Sequence, residues 1–132
     1  MALPLTAHFD FEEFIKTSHD DLQSLNSDVA LHYTDNIFTV MCVLEFIRSI
    51  YKMPILVTSG FRCPHLNIRV KGAPNSKHLV GRAVDICPSV PRTSPLFSKY
   101  MLQLINAVKH VFGTGLIGYY GAHDNYIHIQ LP

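Results

Sequence analysis

Ser76-Lys77-His78-Leu79-Val80-Gly81-Arg82-Ala83-Val84-Asp85, SKHLVGRAVD, sets a histidine seven residues before an acid, with a glycine and an alternating run between them. Continued through Ile86 and Cys87, residues 83–87 predict a strand. Alternation puts Val84 and Ile86 on one face and Ala83, Asp85 and Cys87 on the other. His78 falls in the loop that feeds this strand, where Gly81 permits a backbone conformation that a residue with a Cβ resists. One polar group from a loop and one from a strand can therefore be aimed at a common point.

Upstream, Ile55-Leu56-Val57-Thr58 is a short β-branched run bounded by Ser59-Gly60, which predicts a buried strand. From there to about Lys77 the chain has Gly, Pro and Asn but no sustained period, so it reads as loop with one helical turn. Before Pro54, Tyr33, Ile37, Val40, Leu44, Ile47 and Tyr51 recur at steps of four and three, with Phe38, Val43, Phe46 and Ile50 widening the stripe. This is the pattern of a central, buried helix, ended by Met53-Pro54. A short helix is expected over residues 9–17, with Asp10 as cap, Glu12 and Glu13 in the first turn, and Phe11, Phe14 and Ile15 facing inward.

Downstream, CPSVPRTSP (residues 87–95) reads as a surface loop. Thr93 or Ser94 then caps a helix running through His110, with Leu96, Tyr100, Leu104, Ala107 and Val111 on one face. The end of the chain reads as a hairpin: residues 115–120, a GAHDN turn, and residues 126–131. In its last strand Ile127, Ile129 and Leu131 share one face, and Tyr126, His128 and Gln130 the other. His128 thus points away from the apolar side, as Asp85 does in its own strand. The expected fold is α+β, a mostly antiparallel sheet packed against helices.

Composition narrows the function classes. A length of 132 residues suits a single domain, 1–132, and a 48% hydrophobic, 16% charged chain is globular rather than disordered. A net charge of +1 gives no electrostatic reason for nucleic acid or an acidic membrane surface as partner. Cys42, Cys63 and Cys87 are odd in number and lack C-x-x-C spacing, so reduced thiols in a cytosol are expected rather than a disulfide framework or zinc ribbon. The start, MALPLTAHFDFEEF, lacks the pattern of an export signal, and no run approaches the roughly 20 apolar residues of a membrane span.

A catalytic zinc site takes three protein ligands and leaves one position open. His78, Asp85 and His128 supply suitable types, and strand parity lets the last two aim at one point; on residue types and spacing alone, a satisfied polar cluster is the more ordinary reading of the same residues. Cys87, on Asp85's face, reads as a small buried thiol. Cys63 has no histidine partners at nucleophile spacing, and Ser76 reads as a brace for its loop. His8, His19, His32, His65 and His110 read as ordinary surface or core residues.

Residues 58–86, TSGFRCPHLNIRVKGAPNSKHLVGRAVDI, resemble the signature of the zinc D-Ala-D-Ala carboxypeptidase and L-alanyl-D-glutamate peptidase family, which shares its fold with the hedgehog signalling domain. The matching elements are Ser59-Gly60-Phe61-Arg62, Asn67, Gly72, Ser76-x-His78-x-x-Gly81-x-Ala83-x-Asp85 and the terminal Tyr126-Ile127-His128-Ile129. The resemblance implies one zinc ion on His78, Asp85 and His128, with Arg62 at the substrate. Many relatives place Glu or Asp three residues before the last zinc histidine as general base, and often Asp two residues after it. Here those positions hold Asn125 and Gln130, so a second acid is missing and the candidates for proton transfer are His123 and Asp124. The implied function is hydrolysis of bacterial cell-wall (peptidoglycan) peptides, at a D-Ala-D-Ala end or an L-Ala-D-Glu bond. The alternative is a zinc-binding structural or interaction module that has lost its base. A monomer of phage or bacterial type is expected, cytoplasmic in its host or released to the wall by lysis.

Overall fold

Asp10 opens the first helix, α1 (Phe11–Ile15). Its carboxylate accepts the Glu13 N–H at 3.1 Å while the Glu13 carboxylate accepts the Asp10 N–H at 3.3 Å, a reciprocal cap. Phe11, Phe14 and Ile15 are buried, as their spacing requires. The computed structural model describes residues 3 and 5–132.

The next element has no counterpart in the sequence reading. Helix α2 (Gln23–Ala30) is entered through a single 3-10 turn, Asp20–Leu22, and left through another, Leu31–Tyr33. Its only buried residues are Asn26 and Ala30, so it carries no apolar stripe that a periodicity argument could detect. Helix α3 (Thr34–Tyr51) follows and buries Ile37, Val40, Met41, Val43, Leu44, Ile47 and Tyr51. Phe38 and Phe46 do not widen this stripe; they are 41% and 42% exposed. At about 100° per residue both fall on the side of the helix away from Leu44, and Met41 fills the place expected of them.

Strand β1 (Ile55–Ser59) lies where expected but is not buried throughout: it is an edge of the sheet, with Ile55 and Val57 turned to the core and Leu56 exposed. The following loop holds a turn and a half of helix, α4 (Pro64–Arg69). A 3-10 turn, Lys77–Val80, leads into β2 (Ala83–Pro88). Helix α5 (Phe97–Phe112) starts later than Ser94: the Ser94 hydroxyl accepts the Leu96 N–H at 3.1 Å, but Leu96 is exposed. The buried face is Phe97, Met101, Leu104, Ala107, Val108 and Val111, sharing three of its members with the expected stripe. The hairpin is β3 (Tyr119–Ala122) and β4 (Ile127–Gln130), so Gly121 and Ala122 belong to a strand rather than to the turn, and residues 115–118 lie outside it.

The four strands pair antiparallel throughout in the order β1-β2-β4-β3. Val84, Ile86, Ile127 and Ile129 join α3 and α5 side chains in one buried apolar cluster. The alternate residues of β2 and β4 therefore face the other way, and the register sets Asp85 directly opposite His128. Among the described residues no helix is long and apolar enough to cross a membrane, and the three cysteines are free.

Candidate metal centre

His78 is delivered by a tightly specified turn. The Ser76 hydroxyl accepts the His78 N–H at 3.2 Å, and Gly81 closes the turn at φ 72°, in the left-handed region that favours glycine. The His78 carbonyl accepts the Arg62 N–H at 3.1 Å, binding this turn to the segment that carries the arginine. The buried imidazole sets Nδ1 2.6 Å from the Gly60 carbonyl oxygen. A carbonyl only accepts, so Nδ1 bears the proton and Nε2 presents its lone pair. Gly60 itself is packed so closely on α1 that a Cβ there would stand 2.3 Å from the Phe14 carbonyl oxygen.

Asp85 and His128 come from the two central strands. Asp85 Oδ1 lies 3.3 Å from His78 Nε2 and 2.8 Å from His128 Nδ1, and the three donor atoms all lie within 4.8 Å of one another. A tetrahedron with zinc–ligand arms of about 2.0–2.1 Å has edges of roughly 3.3 Å. The donor set and the tautomer of His78 fit that ion, and the 3.3 Å separation of His78 Nε2 from Asp85 Oδ1 matches such an edge. On its other side, His128 Nε2 lies 2.9 Å from Gln130 Oε1.

The cluster's charges are mutually adjusted. Burial alone would push the Asp85 carboxyl up, but the hydrogen bond from His128 and the adjacent His78 imidazole outweigh it and hold the group well below the usual carboxylate range. His128 is held above its ordinary value by its hydrogen bond to Asp85, against burial, which works the other way.

Arg62 is fixed by the other motif residues. Its Nε–H donates to the Ser59 hydroxyl at 3.1 Å, Nη1 to Asn67 Oδ1 at 3.4 Å, and Nη2 stands 3.6 Å from Asp85 Oδ2. Gly72 leaves room for this: a Cβ there would stand 2.0 Å from Asn67 Oδ1. A cavity of about 580 Å³, lined among others by Lys16, His19, Ser59, Arg62 and Leu66, adjoins the centre through Ser59 and Arg62.

Sequence reasoning passes over Asn26, a buried staple. Its Nδ2 donates to the Ile15 and Phe61 carbonyls at 2.7 and 3.2 Å, and its Oδ1 accepts the Cys63 N–H at 2.7 Å. It thereby ties α2 to both flanks of Arg62, yet a lone asparagine in a polar helix carries no signal. Cys87 is a buried thiol as read, and Cys63 is buried as well. His8, on the surface, pairs its Nδ1 with Glu45 Oε1 at 2.6 Å.

His123 and Asp124 are exposed residues of the hairpin turn and lie outside the three-donor cluster. The His123 ring lies flat on Tyr126, with centroids 4.4 Å apart and planes at 13°. Tyr126 precedes β4 on the parity of His128, and the half-exposed Tyr119 ring lies 6.1 Å from the His128 ring. Tyr119 and Gln130 thus flank His128.

One family model, described as Peptidase M15, matches residues 7–130. No curated protein matches the chain.

Proposed function

The chain belongs to the peptidase M15 family, and on that premise we propose that it is a zinc-dependent peptidase of bacterial cell-wall peptides, cutting a D-Ala-D-Ala end or an L-Ala-D-Glu bond. The observation that carries the reading is the convergence of His78 Nε2, Asp85 Oδ1 and His128 Nδ1 on one point, three suitable donors from a turn and two adjacent strands. A zinc ion held there supplies Lewis acidity and a nucleophile at neutral pH.

The chain's own residues do the rest. Arg62, braced by Ser59 and Asn67, presents a guanidinium to a peptide carboxylate or to the oxyanion that develops on the attacked carbonyl. The cavity beside it, with Lys16 and His19 in its wall, receives the peptide. His123 or Asp124 moves the proton, and His123 is the better held of the two because Tyr126 supports its ring. The setting proposed is a small phage or bacterial lytic enzyme acting as a monomer.

A second reading, a non-catalytic zinc module, is favoured by Asn125 in the position where relatives carry an acid. Mass analysis of fragments released from defined muropeptides, with and without a chelator, decides between them. Chelator-sensitive release of D-Ala or of a D-Glu-led fragment is the expected result. With metal analysis of the same protein alongside, stoichiometric zinc with no release establishes the module, and no zinc at all overturns both readings.

A further inference from the structure

The two histidines of the cluster are held in opposite senses. His78 gives its Nδ1–H to a main-chain carbonyl, Gly60, and keeps Nε2 free. His128 turns Nδ1 toward the common point and leaves Nε2 on the far side, 2.9 Å from Gln130 Oε1. For Nδ1 to offer a lone pair to a cation, the neutral imidazole must carry its proton on Nε2, and in this partly buried position an acceptor oxygen facing that N–H holds it there. Gln130 reaches that atom because residues 128 and 130 share a face of β4.

We infer that Gln130 is a positioning residue: it accepts the Nε2–H of His128 and so fixes the tautomer and ring orientation that present Nδ1 to the metal. The inference rests on the zinc reading above and gives the missing acid at this position a different meaning. What His128 requires there is an acceptor oxygen, and an amide supplies one without adding charge. Reversing the amide would point its NH2 at Nε2, force the proton onto Nδ1 and aim it at Asp85, which a bound cation would exclude. Partners of this kind that orient a metal-bound histidine are worth about 10–100-fold in metal affinity.

The test uses the full chain and zinc alone. Gln130→Leu keeps the approximate volume and removes the acceptor; Gln130→Glu restores an acceptor at the same reach. Zinc affinity by chelator competition should fall about 10–100-fold in the first variant and recover to within a few-fold of the parent in the second. Nitrogen-15 spectra of the histidine rings should show His128 metallated at Nδ1 with Nε2 protonated in the parent. Circular dichroism checks that Gln130→Leu is folded, and if it is not, the parent spectrum and Gln130→Glu still decide. Parental affinity in a folded Gln130→Leu, loss of affinity in Gln130→Glu, or a His128 metallated at Nε2 overturns the inference while leaving the zinc site standing. A parent chain that takes up no zinc overturns the zinc reading first, and this inference with it.

Discussion

Nη2 of Arg62 stands 3.6 Å from Asp85 Oδ2, the carboxylate oxygen that neither histidine uses. The arginine is thus tied to the donor cluster as well as to the adjoining cavity, and its removal should separate binding from chemistry. In Arg62→Ala, kcat/KM on a defined muropeptide is expected to fall about 10²–10³-fold, the cost of losing one oxyanion or carboxylate donor. Arg62→Lys should recover only part of it, because an ammonium lacks the guanidinium fork. Zinc stoichiometry, measured on the same samples, should remain one per chain.

Proton transfer is assigned to the hairpin turn, and the stacked ring sets the order within it. His123→Asn should lower kcat by about 10²–10⁴-fold, the range for a lost general base, with zinc content unchanged. Asp124→Asn should change kcat only a few-fold. Equal, small effects in both variants would remove this turn from the mechanism.

In the metal-free protein the Asp85–His128 pair makes stability depend on pH from both sides. Asp85 is depressed, so its contribution is present above its unfolded value and lost as pH falls; His128 is raised, so its contribution is present below its unfolded value and lost as pH rises. With unfolded values of about 3.9 and 6.5, both contributions coexist near pH 5–6. Thermal melts in chelator should therefore peak there and decline toward pH 8, and His128→Gln should flatten that decline. Zinc affinity should move oppositely across the same interval, because the metal competes with the proton for Nδ1.

Asn26 joins Ile15, Phe61 and Cys63 through three buried hydrogen bonds. Asn26→Leu leaves those backbone groups without partners, and the expected loss is roughly 2–4 kcal/mol by denaturant unfolding, given about 1–3 kcal/mol for a buried polar group left unpaired. A loss below about 0.5 kcal/mol would show that other groups or water take over these bonds.

The parts of this molecule that announce themselves in the sequence are those where period and chemistry coincide. The alternation around Asp85 and His128 gave their shared face, and the four-three spacing from Ile37 to Tyr51 gave the buried helix, because packing against a core imposes those periods. Phe38 and Phe46 were misplaced because two more aromatics beside a wide stripe do not say on which side it ends. Helix α2 was silent because it is held by Asn26 and by its neighbours rather than by an apolar face. The three-donor cluster was legible as residue types, whereas the partners of His78 and His128 were not: one is a main-chain oxygen, and the other is a glutamine whose role depends on where it points.

The strand order β1-β2-β4-β3 has a kinetic consequence. The strand carrying His128 sits inside the sheet, 43 residues in sequence from its neighbour Asp85, so the sheet is complete only when the hairpin has docked by its β4 edge. Non-local pairing of this kind is slow relative to helix formation. Two donors come from adjoining segments and the third arrives only with the hairpin, so tight zinc capture in a refolding chain is expected to coincide with hairpin docking, as stopped-flow mixing with a zinc-responsive dye would show.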